Sequence, residues 1–126
     1  MKLKIKLFLM LVLASSIMIT TSCKKDDPTL PTVETGNFVA KTNGTAEGGG
    51  SVTDDGFADI TARGVCYSQV ENPTISDQKT SDGTGQGVFT SKLSQLAPGF
   101  TYHVRAYATN SVGTSYGSDV VFTVPL

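Results

Sequence analysis

The sequence predicts an all-β sandwich of six or seven short strands, and three observations carry that expectation. From Thr32 onward, short runs of alternating apolar and polar residues are broken by clusters of Gly, Pro, Asn and Asp. Turn signals recur roughly every ten residues, the spacing of an antiparallel sandwich or a small barrel. No window sustains the 3.6-residue period of an amphipathic helix. The 13 glycines, with frequent Thr, Ser and Val, suit pleated strands joined by tight turns.

Ahead of that domain the chain reads as an export signal. Met1-Lys2-Leu3-Lys4-Ile5-Lys6 is basic, Leu7 to Ile19 is apolar, and Thr20-Thr21-Ser22-Cys23 follows. A helix over that apolar stretch rises about 20 Å, short of a hydrocarbon core of about 30 Å, so a cleaved signal is favoured over a permanent membrane span. Ser22-Cys23 resembles the end of a lipobox, after which lipoprotein signal peptidase cuts and whose cysteine takes the acyl chains; Thr20 stands where Leu is usual. Each buried methylene contributes about 0.8 kcal/mol, so several chains on Cys23 anchor stably where one does not. Lys24-Lys25-Asp26-Asp27 reads as a solvated linker and is also similar to the tract that sends Bacteroidetes lipoproteins to the outer face of the outer membrane. Pro28 and Pro31 stiffen the tether that follows. The expected organisation is a signal over 1–22, a lipidated cysteine and tether over 23–31, and one domain over 32–126.

Within the domain, strands are expected at 32–40, 45–53, 59–68, 87–96, 101–109 and 117–124, with turns at Lys41 to Gly44, Asp54 to Gly56, Asn72-Pro73, Asp82-Gly83, Pro98-Gly99 and Asn110 to Gly113. The run 101–109 alternates most clearly. Tyr102, Val104, Ala106 and Ala108 go inward, leaving His103, Arg105, Tyr107 and Thr109 outside. Val120, Phe122 and Val124 form the inner face of the last strand, and Phe89, Ser91 and Leu93 that of 87–96. Ala46, Gly48, Gly50 and Val52 line the inner face of 45–53, leaving room for bulky partners opposite.

Leu96-Ala97-Pro98-Gly99-Phe100-Thr101-Tyr102, followed by Val104, Ala106, Ala108 and Asn110, resembles the corner signature of fibronectin type III domains. Ala62 to Ser68, Asn72-Pro73-Thr74 and Asp82 to Gly85 are similar to the variant found in Bacteroidetes surface proteins. The resemblance implies a fibronectin type III / immunoglobulin-like β-sandwich of about seven strands. It also implies that Tyr102 is a tyrosine corner whose hydroxyl bonds backbone near Leu96. The chain has no Trp, so Tyr67 or Phe89 would replace the usual core Trp.

Most chemistry is declined on residue content. Three basic residues leave with the signal while all eleven acidic ones lie beyond Cys23, so the mature chain carries about −4, which argues against nucleic acid. Gly83 to Gly87 is glycine-rich, but Val88-Phe89-Thr90 after it reads as strand, where a phosphate loop needs a helix. His103 is the lone histidine and supplies neither a triad nor a zinc site. Asp54, Asp55 and Asp59 match a hairpin turn better than a calcium loop. With Cys23 acylated, Cys66 has no intrachain disulfide partner and reads as a buried, inert thiol.

No catalytic residue, metal or cofactor is therefore expected. Arg105 and Tyr107, with Tyr116 on the neighbouring strand, form the candidate binding face, although outward aromatics on a sheet also serve cross-strand packing. Two functions stay open for a lipid-anchored outer-membrane protein exposed at the cell surface. One is a module for adhesion, protein interaction or spacing; the other is a carbohydrate-binding accessory of a glycan-uptake system.

Overall fold

The computed structural model describes residues 27–126, so the signal and Cys23, with the cleavage and acylation expected there, lie outside the described residues. Nine strands and no helix are found among the described residues. They are β1 (Thr32–Thr35), β2 (Val39–Ala40), β3 (Ala46–Asp54), β4 (Ala62–Ser68), β5 (Gln78–Lys79), β6 (Gly87–Leu93), β7 (Thr101–Thr109), β8 (Thr114–Tyr116) and β9 (Val120–Thr123). In one antiparallel sheet β3 is central, with β6 on one edge and β1 then β2 on the other. In the second, β4 and β7 are central, β5 lies outside β4, and β8 then β9 share the free edge of β7.

The expected run 32–40 is broken in two, and the run expected at 117–124 starts only at Val120 with the separate β8 ahead of it, for local reasons. The run 32–40 is interrupted where Phe38 turns its ring to stack on Phe122, centroids 5.9 Å apart. Gly48 permits this: a Cβ there would stand 2.5 Å from the Asn37 carbonyl oxygen and 2.6 Å from the Phe38 ring. The last strand does not start at Gly117 because β1 reaches across from the other sheet at Gly117 to Asp119. Ala106 N–H donates to Thr35 Oγ1 at 3.0 Å, and that hydroxyl donates to the Ser118 carbonyl at 2.6 Å. One threonine thus supplies the strand partner that the broken edge lacks, and ties the sheets together.

The core lies between the sheets and includes Val33, Val52, Val65, Phe89, Leu93, Val104 and Phe122. Phe89 takes the space that Gly50 leaves: a Cβ on Gly50 would come within 3.0 Å of its ring and 2.8 Å of the Ala106 methyl. Phe89 is buried in the centre, while Tyr67 is half-buried at one end of the sandwich.

A second buried layer forms outside the β4–β7 sheet, where residues 69–82 cross over. Beyond β5 the crossover continues along β4, with Thr80 N–H donating to the Val65 carbonyl and Asp82 N–H to that of Arg63, both at 2.8 Å. Asp82 then clamps the two sheets together. Its Oδ2 accepts from Thr80 at 2.6 Å and from the fully buried Ser91 of β6 at 2.5 Å.

Candidate functional site

The residues expected to form a binding face are brought together, but beneath the crossover. Tyr107 of β7 pairs with Tyr116 of β8, and the Arg105 guanidinium stacks 4.1 Å from the Tyr116 ring centroid. Their polar groups are spent on the 69–77 loop. Arg105 Nε donates to the Pro73 carbonyl at 2.7 Å, and Ile75 N–H donates to the Tyr116 hydroxyl at 3.1 Å. Nearby, His103 Nδ1 meets Asp119 Oδ1 at 2.9 Å, while Asp119 Oδ2 accepts the Asn72 N–H at 2.7 Å.

The outward Tyr107 expected from alternation is corrected: its side chain points away from the core yet is only 2% exposed. Its cross-strand neighbour is Gly64, and the crossing chain dips into that gap, since a Cβ on Gly64 would stand 2.4 Å from the Thr80 carbonyl oxygen. Tyr107 Oη donates to that same carbonyl at 2.5 Å. Burial, reinforced by the charges of Asp82 and Cys66, pushes the Tyr107 hydroxyl up from its ordinary value. Cys66 lies in the same layer, its thiol 3.4 Å from the Pro73 carbonyl. Burial outweighs the opposing pull of Arg105 and raises the thiol to about 11, a value at which it is no nucleophile at neutral pH.

At the Tyr102 corner, the hydroxyl accepts the Ala97 N–H at 2.9 Å, one residue past Leu96, and the ring stacks on Phe122 at 5.8 Å. Leu96 itself is buried, and its N–H donates to the Gly44 carbonyl at 2.9 Å. Asp54 and Asp55 hold a turn by accepting the Gly56 and Phe57 N–H groups at 2.8 and 3.0 Å. Among the described residues no group of three or more His, Cys, Asp or Glu side chains is placed to hold a metal.

Binding geometry emerges elsewhere. Where β4 ends and the chain leaves β6, a cleft of about 600 Å³ opens between the sheets. Tyr67, Tyr102 and Leu96 give it an apolar floor; Gln69, Asp77, Gln78 and Gln95 stand exposed around it. Gln95 holds a left-handed backbone, φ 58°, rare for a residue with a side chain. Burial, followed by the proximity of Tyr102, raises the Tyr67 hydroxyl above its ordinary value. Six of its nine lining residues are Ser, Gln or Asp, so the cleft is mainly polar above the tyrosine rings and Leu96. A second hollow of about 360 Å³ lies over Gly48, Gly49 and Gly50, but much of its lining is glycine backbone and offers less to recognise. Sequence reasoning missed the cleft because its residues come from four separate segments that only the topology joins.

Solved human structures illustrate what the architecture is similar to. One is the sixth fibronectin type III domain of fibronectin type III domain containing protein 3, with TM-score 0.55, 19% identity, and coverage of 82% of this chain and 92% of that one. Another is a fourth fibronectin type III domain, also with TM-score 0.55 and 19% identity, covering 82% and 83% of the two chains. A fibronectin type III domain from human KIAA0970 protein aligns with TM-score 0.51 and 14% identity over 74% of this chain and 72% of that one. No protein-family model and no curated protein sequence matches the chain. The fold is a fibronectin type III-like β-sandwich.

Proposed function

We propose that the chain is a lipid-anchored extracytoplasmic module that engages a partner through the cleft around Tyr67. The observation that carries this is polarity along the sandwich. The tether enters beside the Gly56 and Asn110 turns, where Thr29 N–H donates to the Gly56 carbonyl at 2.8 Å. The cleft lies at the opposite end of β7, a nine-residue strand about 27 Å long. A domain anchored through Cys23 would hold the cleft outward. Its test is a photo-crosslinking residue at position 95, introduced in the intact chain on cells. A discrete adduct from position 95 and none from position 47, exposed on β3, supports the reading; equal labelling from both positions contradicts it.

The cleft's chemistry also favours a second reading, capture of a carbohydrate. A tyrosine ring offers a stacking face, and amides with a carboxylate match the paired donors and acceptors of sugar hydroxyls. A glycan array with the protein tests this. Binding lost in Tyr67→Ala but kept in Tyr116→Phe assigns the cleft; silence on every glycan sinks the reading.

A further inference from the structure

At the end where the tether enters, three segments are knotted around one side chain. Asn110 is 5% exposed, and its Nδ2 donates to the Thr29 carbonyl at 2.7 Å and the Asp55 carbonyl at 2.9 Å, while its Oδ1 accepts the Val112 N–H at 2.9 Å. Gly56 is wedged against the tether, since a Cβ there would stand 2.2 Å from the Thr29 carbonyl oxygen. Leu30 lies against Gly113, 3.2 Å from where a Cβ would be.

This frame presents apolar side chains to the outside. Leu30, Phe57 and Val112, one from each segment, are 50%, 66% and 49% exposed. Phe57 moreover holds φ 60°, a conformation in which a bulky residue is an outlier and which persists only where the surroundings impose it. Exposed apolar side chains also occur at the far end, at Phe100 and Leu126. What sets the Phe57 end apart is the chain that leaves it. Only six residue steps separate Thr29 from Cys23, at most about 22 Å of extended chain.

We infer that Leu30, Phe57 and Val112 form a membrane-docking tip, inserted into the surface of the bilayer that holds the acyl chains of Cys23. The inference rests on the lipid-anchor reading. Its geometry follows from the short tether, which holds this end against the lipid so that the tip needs no affinity of its own to reach it. Apolar side chains at such a boundary sink about 5–10 Å. Inserted, the tip would fix the sandwich upright and keep the Tyr67 cleft away from the surface. The carboxylates Asp54, Asp55 and Asp59 flank Phe57, so the fitting surface is zwitterionic, not anionic.

The test uses the absence of Trp from the chain. Full-length protein carrying Phe57→Trp, Val112→Trp or Val70→Trp is purified from membranes, its acylation read by intact mass, and reconstituted in phosphatidylcholine vesicles with and without nitroxide-labelled lipid. Val70 is the control, 71% exposed in the loop after β4 at the cleft end. Expected are blue-shifted emission and roughly twofold quenching by labelled lipid at 57 and 112, with neither at 70. Acylated protein whose tip positions stay unquenched and as open to acrylamide as position 70 overturns the tip alone. A blue shift without lipid quenching means a protein contact there, which also overturns it. A mature chain without acyl groups overturns the anchor reading and the tip together.

Discussion

Replacing Tyr107 separates a surface aromatic from a structural one. Tyr107→Phe removes the hydroxyl that donates to the Thr80 carbonyl, leaving a buried acceptor without that donor. Loss of such a bond costs about 1–3 kcal/mol. In a domain of roughly 100 residues that lowers Tm by about 5–15 °C. Tyr107→Ala also empties the space beside Cys66 and Gly64, and truncating a buried aromatic costs about 3–5 kcal/mol, a large part of the 5–15 kcal/mol that holds a small domain. Urea unfolding followed by far-ultraviolet circular dichroism measures both, with an unchanged m-value confirming that stability alone has moved. If Tyr107→Ala unfolds within about 0.5 kcal/mol of wild type, as surface substitutions do, the ring is not packed under the crossover and the second buried layer is refuted.

Other consequences follow from the same contacts. Tyr102→Phe removes the hydroxyl that accepts the Ala97 N–H and should cost about 1–2 kcal/mol in the same unfolding assay. Thr35→Val keeps the side chain's shape but leaves Ala106 N–H and the Ser118 carbonyl without their shared partner; about 1–3 kcal/mol should be lost, and amide exchange at Ala106 should quicken. The Cys66 thiol rises from 9.0 to about 11 on folding, so the native state holds its proton more tightly than the unfolded chain. That contribution is complete below about pH 9 and is lost as pH climbs toward 11, a decline on the order of 2–3 kcal/mol that Cys66→Ala should not share. Native protein at pH 8 should likewise resist iodoacetamide until it is unfolded.

Much of the sandwich was legible because a two-residue period is written locally. Tyr102, Val104, Ala106 and Ala108 turn inward as their alternation requires, and Gly50 makes room for Phe89 as its missing side chain allows. Alternation names a side of the sheet, however, and not what covers that side. Tyr107 is on the outer side and buried because residues 69–82 return across it, an outcome set by chain segments 27 positions apart. The two-residue β5 carries no apolar pattern at all: Gln78 and Lys79 are exposed, and only their pairing with Tyr67 and Cys66 makes them a strand. The break in the first strand and the late start of the last escape for a similar reason, since Phe38 and Thr35 act on the opposite sheet. The cleft around Tyr67 combines residues whose neighbourhood exists only after folding.

In the proposed reading, Cys23 would set the tether, the orientation of the cleft and the docking of the Phe57 end. Intact mass spectrometry of the mature protein taken from cell membranes measures it. The predicted mass is that of a chain beginning at Cys23 with acyl groups attached, and Cys23→Ala should lose them. A mature chain that begins at another residue, or carries Cys23 unmodified, would contradict lipid anchoring at Cys23.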